Sequence, residues 1–245
     1  LAIVESESPA WTRIDLAATA ATGAIALIAF VGWARRVRDP LVDLALFRHR
    51  TYSAVNAATL SFGIAFAMMF FAFFFYMGQV WHYSPALAGL AIAPGPLTVI
   101  PVAVVTGRLA GRYGHRPFLV GGALLYALAG LWFLLVPGGI EPAYATQWLP
   151  GLLLSGTSVG LVMPSLSGAA VSRLPAQHYA VGSAVNQATR QIGAVIGVAI
   201  TVLLLGGGPL QRSSFDAVYG LHIALALLTA VLCAFVRTRP AARSA

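Results

Sequence analysis

Seven long apolar stretches dominate the chain, and they contain no Asp or Glu and a single Arg. A helix needs about 20 apolar residues to cross the core of a bilayer, and each stretch meets or approaches that length. The apolar residues run continuously instead of alternating, which favours spanning helices over barrel strands. The sequence therefore predicts an all-α polytopic membrane protein with seven transmembrane helices. The stretches are residues 16–33, 55–80, 86–106, 118–136, 148–171, 181–205 and 217–236.

The composition agrees with a membrane protein. Charged residues make up 9% of the chain and hydrophobic residues 59%, whereas soluble domains carry about 25% charged residues. So few charges disfavour a soluble globule, and so much apolar content excludes a disordered chain. The single cysteine, Cys233, excludes an internal disulfide framework and a cysteine-based zinc site. We expect neither a metal ion nor a cofactor.

The basic residues are distributed unevenly between the two sets of loops. All 15 are arginine, and most lie in segments that successive spans place on one side of the membrane. Only Arg13 and Arg212 lie on the opposite side, and Arg190 lies within a span. The positive-inside rule then predicts an outside N-terminus and a cytoplasmic C-terminus. Arginines spread over separate loops exclude the basic stripe of a nucleic-acid-binding protein. The arginines assigned to the cytoplasm are Arg35, Arg36, Arg38, Arg48, Arg50, Arg108, Arg112, Arg116, Arg173, Arg237, Arg239 and Arg243.

The last six stretches divide into two triplets of opposite orientation, as an inverted-repeat transporter requires. The middle stretch of each triplet is rich in Pro or Gly, and interrupted spans at corresponding positions indicate a transport path. Both residues are also frequent in ordinary membrane helices, so this sign alone leaves two interpretations open. The residues are Pro94, Gly95, Pro96 and Pro101 in the first triplet, and Gly193, Gly197 and 206–208 in the second.

Four segments carry more specific motifs: residues 40–48 (PLVDLALFR), 83–90 (YSPALAGL, followed by Pro94), 107–117 (GRLAGRYGHRP) and 186–193 (NQATRQIG). In this order and spacing they resemble the C-terminal part of fourteen-helix drug–proton antiporters of the major facilitator superfamily. The first resembles the linker before the family's second half, and the third resembles its cytoplasmic loop motif. The second and fourth resemble the starts of the tenth and thirteenth helices.

The resemblance implies that the chain corresponds to helices eight to fourteen and that an N-terminal half with seven helices is missing. An odd number of earlier spans would account for the outside N-terminus. The resemblance also implies proton-driven efflux of hydrophobic or cationic small molecules by alternating access in a bacterial plasma membrane. On this basis residues 1–34 are an outer segment with an extra linker-type helix, 35–53 a cytoplasmic linker, and 54–245 a six-helix bundle with a short tail.

The loop motif departs from the family pattern at Gly111, where the superfamily usually has Asp. That Asp takes part in a charge-stabilised lock between the two halves, so this copy cannot complete the lock. The arginines of the loop can still pair with the missing half; alternatively they only determine topology. Arg190 is expected at a gate, unless it extends to the cytoplasmic interface. The residues predicted at gating or inter-half contacts are Gly107, Arg108, Arg112, Gly114, Arg116, Asn186 and Arg190.

In members of the superfamily, the first span of each triplet lines the central cavity. Here the first of these spans is rich in Phe, and four rings recur at helical spacing. Such an aromatic wall would suit bulky lipophilic, often cationic ligands; alternatively the rings face lipid. The predicted cavity residues are Asn56, Phe62, Phe66, Phe70, Phe73, Ser155 and Ser158.

All seven carboxylates lie outside the apolar stretches, although proton coupling needs a titrating group within the membrane. The proton carrier is therefore expected in the missing half. The absence of Lys excludes a retinal protein, and Ser167 and His222 lie too far apart for an intramembrane serine protease. The sequence shows no motif of a channel selectivity filter. We also expect no enzymatic activity. A chromophore-free seven-helix receptor and a facilitator-type carrier for a non-drug metabolite stay open as alternatives.

Overall fold

A computed structural model describes residues 44–136, 142–205 and 210–236, together with residues 32 and 238. Within these residues the chain forms six helices that are long and apolar enough to cross a membrane, and no strand. The predicted all-α membrane fold is therefore confirmed for the last six spans. The first predicted span, apart from residue 32, and residues 35–43 of the linker lie outside the described part of the chain.

Each of the last six predicted spans overlaps one of these helices. Turns of other helix types extend several of them, such as the π turn Tyr76–Val80 at the end of the first helix and the π turn Tyr144–Trp148 at the start of the fourth. We number the helices α1 (Arg50–Val80), α2 (Pro85–Tyr113), α3 (Arg116–Leu135), α4 (Tyr144–Val171), α5 (Ala176–Leu205) and α6 (Arg212–Ala234).

The proline-rich and glycine-rich spans do not break in the way the sequence suggests. Helix α2 consists of segments Pro85–Ile92 and Pro94–Tyr113, which meet at Ala93. Ala93 keeps helical dihedrals, and its carbonyl accepts a 3.1 Å hydrogen bond from the Leu97 N–H. The helical path is therefore continuous, although proline removes donors from it. The predicted interruption of α5 at its two glycines is wrong, because α-helix is continuous over Tyr179–Leu205; residues 206–208 lie outside the described residues.

The six helices pack in two layers. The first layer has the order α2, α4, α1, α5, and the second layer consists of α3 behind α4 and α6 behind α1. Exchanging the first three helices for the last three maps this contact pattern onto itself: α1 on α5 corresponds to α4 on α2, and α1 on α6 corresponds to α4 on α3. This is the symmetry that an inverted repeat produces. The tertiary contacts thus agree with the two predicted triplets.

Glycines allow the closest helix crossings of the first layer. A Cβ atom on Gly156 of α4 would lie 2.4 Å from the carbonyl oxygen of Gly95 on α2. In the corresponding pair, a Cβ on Gly197 of α5 would lie 2.4 Å from the carbonyl oxygen of Ile64 on α1. Such contacts exist only where no side chain separates the backbones. Gly95, Gly156 and Gly197 therefore serve helix packing.

Candidate substrate groove and gating residues

A groove of about 240 Å³ opens on the first layer, between α1, α2 and α4. Its walls are aromatic and aliphatic, with Ser155 as a polar side chain among them. Phe66 and Phe70, one helical turn apart on α1, stack with ring centroids 6.1 Å apart. The close approach of α2 to α4 at Gly95 and Gly156 forms the opposite wall. The lining residues are Phe66, Phe70, Phe73, Ile92, Gly95, Pro96, Val99, Leu152, Ser155, Gly156, Val159 and Met163.

Four predicted cavity residues line this groove: Phe66, Phe70, Phe73 and Ser155. The prediction that Phe62 belongs to the same wall is wrong, because its ring is fully buried and lies 5.0 Å from the ring of Tyr126 on α3. Successive residues of an α-helix rotate by about 100°, so Phe66 and Phe70 lie about 40° and 80° around α1 from Phe62. That rotation separates Phe62 from Phe66 and Phe70. Phe73, about 20° from Phe62 by the same rotation, both lines the groove and packs on Phe133 of α3.

Ser158 and Asn56 were also predicted in the cavity, and both are buried within the bundle instead. The Ser158 hydroxyl donates a 2.8 Å hydrogen bond to the Gly122 carbonyl oxygen of α3. The Asn56 amide donates to the Tyr52 carbonyl oxygen at 2.9 Å. A buried polar group needs such partners. Ser158 finds its partner on a neighbouring helix and Asn56 one turn earlier on its own helix, and neither partner lies in the groove.

The contribution of α2 and of Met163 to the groove was not predicted. The sequence predicted cavity residues on the first helix of each triplet only. Pro96 and Val99 of α2 also line the groove. The Pro-Gly-Pro run at residues 94–96 was the available signal, because a glycine between prolines permits the close approach that brings α2 to this wall.

Asn186 is a packing residue between α1 and α5. Its side-chain amide donates to Asn56 Oδ1 at 3.2 Å and to Thr59 Oγ1 at 2.8 Å, and the residue is 5% exposed. The predicted inter-half contact by Asn186 is therefore wrong, because its donors are used inside this bundle. The asparagine amide needs several partners when buried, and α1 supplies them.

Arg190 lies half-buried beside the groove. One guanidinium nitrogen is 3.5 Å from the Met163 sulfur on α4, and the other donates to the Gln187 side-chain oxygen. Met163 lines the groove, so the arginine places a positive charge near the groove's rim. This position is compatible with the predicted gating role, which stays a prediction.

The predicted gating loop joins α2 to α3. Gly114 has a φ of 80°, a left-handed conformation that favours glycine, and it ends α2. Arg108 and Arg112 are exposed, and the Arg112 guanidinium lies 5.3 Å from the centroid of the Tyr113 ring. A Cβ on Gly107 would meet no described atom within 4 Å, so Gly107 makes no close contact within the described residues.

The described arginines of the predicted cytoplasmic loops lie at one end of the bundle, which we call the arginine end. Arg50, Arg116 and Arg173, from three loop or helix-end segments, line one cavity there. Among the described residues Asp216 is the only carboxylate, and it pairs with Arg212 at 3.4 Å near the start of α6. Within the same residues no group of three His, Cys, Asp or Glu side chains is placed to hold a metal ion.

Comparisons with known proteins agree with the fold. The profile of the Major Facilitator Superfamily matches residues 11–198 and 57–245. The chain is 30% identical over 200 residues to the multidrug resistance protein Stp of Mycobacterium tuberculosis. This alignment covers 81% of this chain and 36% of that protein. The chain is also 30% identical over 234 residues to the puromycin resistance protein pur8 of Streptomyces alboniger, covering 86% and 45%.

A third relative is a probable actinorhodin transporter of Streptomyces coelicolor, 29% identical over 207 residues, covering 81% of this chain and 35% of that protein. The chain thus spans about a third to a half of the length of these relatives. The superfamily consists of membrane carriers, not enzymes. The matched profile, the six apolar helices and their two-triplet packing lead to one conclusion: the chain belongs to the major facilitator superfamily.

Proposed function

We propose that the chain forms the C-terminal part of an efflux transporter that exports hydrophobic or cationic small molecules in exchange for protons. The groove between α1, α2 and α4 carries this proposal, because its walls match lipophilic, ring-containing ligands. The relatives named for multidrug and puromycin resistance support the same substrate class. Membership in a carrier superfamily removes the receptor alternative.

The transport cycle is alternating access. The first layer of this bundle faces a second bundle, supplied by an N-terminal half, and the two rock about a site between them. The groove is one wall of that site. Large apolar side chains of α2 and α5, such as Leu97 and Val195, are each 64% exposed on the bundle and are available to meet that half. Arg190, at the rim of the groove, and the α2–α3 loop take part in its opening and closing.

Proton coupling and orientation belong to the same proposal. The one carboxylate of the described helices, Asp216, lies in the first turn of the α-helical part of α6 and pairs with Arg212, so the second bundle contributes the carboxylate that binds and releases the proton. We place the protein in a bacterial plasma membrane with the arginine end in the cytoplasm, as the positive-inside rule requires. The partners are then the small-molecule substrate, protons, the lipid bilayer and the N-terminal half.

Binding of a lipophilic cation tests the groove directly. Tetraphenylphosphonium is titrated against the purified chain in nanodiscs, and bound cation is measured by equilibrium dialysis. Phe70→Ala removes one ring face from the groove, so affinity should fall about fivefold, the value of one cation–π contact of about 1 kcal/mol. Phe66→Ala should have a similar effect.

Phe71→Ala is the matched control. Phe70 and Phe71 are adjacent on α1 and equally exposed, at 36%, but Phe71 does not line the groove. Affinity should therefore be unchanged in the control. Equal losses in both variants would indicate partition into the bilayer surface and contradict the groove. Absence of binding to the unsubstituted chain would favour the carrier for a non-drug metabolite.

A further inference from the structure

A second and larger cavity, of about 660 Å³, lies at the arginine end. This cavity and the substrate groove have no lining residue in common, so they are separate sites. Four segments distant in sequence enclose the larger cavity: the start of α1, the start of α3, the segment after α4 and the end of α6. Its lining residues are His49, Arg50, Thr51, Arg116, Arg173, Ala234 and Phe235.

The electrostatics of this cavity favour an anion. Three guanidinium groups, of Arg50, Arg116 and Arg173, come from three of its four walls. Arg50 and Arg116 also begin helices of 26 and 20 residues, whose amino-terminal N–H groups add a positive potential. Asp216, the one carboxylate of the described residues, lies near the start of α6, whereas Ala234 and Phe235 of the cavity lie at the end of that helix. Arginines that line one cavity are frequent partners of phosphate oxygens, because the guanidinium group matches the phosphate geometry.

The apolar part of the cavity indicates which phosphate compound fits. Ala234 and Phe235 complete the lining, and the Phe235 side chain is 72% exposed. The cavity therefore combines a cationic region with an apolar edge where the spans end and the headgroup layer begins. A phospholipid has the same arrangement, with its phosphate next to its acyl chains, whereas free phosphate has no apolar portion to bury.

We propose that the cavity at the arginine end binds the phosphate of an anionic phospholipid. Arg50, Arg116 and Arg173 hold the phosphate oxygens, and Phe235 lies against the start of an acyl chain. The lipid thereby bridges α1, α3 and α6 at one membrane surface. The proposal rests on the membrane placement of the chain, and only the choice of leaflet rests on the orientation proposed above.

Native mass spectrometry of the detergent-purified 245-residue chain tests this site. The chain is titrated with phosphatidylglycerol and, in parallel, with zwitterionic phosphatidylcholine of the same acyl chains. We expect saturable binding of one phosphatidylglycerol and weaker binding of phosphatidylcholine. Arg116→Gln and Arg173→Gln should each weaken phosphatidylglycerol binding about fivefold, as expected for one arginine near an anionic lipid surface.

Arg112→Gln and Arg48→Gln are the controls, because they remove the same charge at the same end but lie outside the cavity lining. Equal weakening by the controls would overturn the site in favour of diffuse electrostatic attraction. Displacement of the lipid by millimolar inorganic phosphate would overturn the lipid as the ligand and assign a soluble phosphate. Unchanged affinity in Arg116→Gln and Arg173→Gln chains whose circular dichroism matches the unsubstituted chain would overturn the proposal outright.

The outcome is independent of the substrate groove. Phe70→Ala should leave phosphatidylglycerol affinity unchanged, because Phe70 lies outside the lipid cavity. Failure of tetraphenylphosphonium to bind would contradict the proposed transport function and leave the lipid site intact. Failure of phosphatidylglycerol to bind would do the reverse.

Discussion

At the scale of single residues, the turn between α2 and α3 depends on two neighbours, Gly114 and His115. The His115 backbone N–H donates to Thr238 Oγ1 at 2.9 Å, which connects this turn to the C-terminal segment. A Cβ on Gly114 would lie 3.1 Å from the same oxygen atom. The glycine of the loop motif thus serves both backbone conformation and close packing.

Replacement of Gly114 should destabilise the bundle. Gly114→Ala places a side chain at a φ of 80° and against Thr238, so we expect a loss of about 1–3 kcal/mol in the free energy of unfolding. Chemical unfolding in detergent, followed by circular dichroism, measures it. Gly111→Ala is the control, since a Cβ there would meet nothing within 4 Å. A Gly114→Ala chain as stable as the control would contradict this account.

His115 gives the turn a pH dependence. Burial lowers the pKa of His115 below its ordinary value of about 6.5, and its buried Nδ1 atom has no hydrogen-bond partner among the described residues. The folded state therefore binds the proton less tightly than the unfolded state, and protonation favours unfolding. The free energy of unfolding should fall as the pH falls below about 6.5.

The contribution of His115 is isolated by comparison with a His115→Gln chain, which has no titrating group at this position. The unfolding midpoints of the two chains are measured from neutral to mildly acidic pH. The unsubstituted chain should lose more stability than the variant as the solution is acidified. Parallel midpoint curves would show that His115 makes no such contribution.

At the scale of helices, the length and continuity of the apolar stretches predicted all six described spans, because a bilayer selects for helix length and apolar composition. The prediction of which side chains of a helix line the groove and which contact neighbouring helices was less accurate. Four rings on α1 share an approximate spacing, yet Phe62 packs on Tyr126 of α3 while Phe70 lines the groove. The two side chains differ by tens of degrees in their direction around α1, and the positions of the neighbouring helices determine which of them contacts α3 and which lines the groove.

The glycine crossings of the first layer allow a sharp test. In Gly156→Ala the new Cβ would lie 2.4 Å from the Gly95 carbonyl oxygen, a backbone atom that cannot move without displacing α2. We expect a loss of about 1–3 kcal/mol in the free energy of unfolding, the usual range for overpacking. Gly121→Ala, with nothing within 4 Å, should be neutral or gain up to about 1 kcal/mol of helix propensity. Thermal unfolding of the two chains compares them, and similar midpoints would contradict the close crossing.

At the scale of the whole molecule, the first layer contains two pairs of parallel helices, α1 with α5 and α2 with α4. Residues 60–64 of α1 pack along residues 190–197 of α5 in the same direction, and Gly95 and Val102 of α2 run alongside Gly156 and Gly160 of α4 in the same way. Two spans that are separated in sequence by an odd number of other spans run parallel when successive spans alternate in direction through the bilayer. This arrangement places the described loop arginines at one end of the bundle, as the inverted repeat demands.

Cysteine labelling tests this arrangement and its orientation. In a Cys233→Ser background, a membrane-impermeant maleimide should label Arg112→Cys only from the cytoplasmic side and Gln211→Cys only from outside, because the two exposed residues lie at opposite ends. Labelling is measured on intact cells and on inverted vesicles. If both cysteines react from the same side, the two-ended arrangement is wrong. If the sides are exchanged, only the proposed orientation is wrong.

The amino-acid sequence was enough to predict the membrane class, the positions of the described spans, the concentration of arginines in alternate loops and the family resemblance. These properties depend on local composition and on motifs: the bilayer requires a certain length and apolar content of each span, and the charges of each loop set its side of the membrane. Only the tertiary structure decided that Asn186 joins α1 to α5, that α2 forms a wall of the groove, and that Arg50, Arg116 and Arg173 share a cavity. The physical reason is that a side chain's partners lie on other helices, and only the packing of those helices brings them within contact distance.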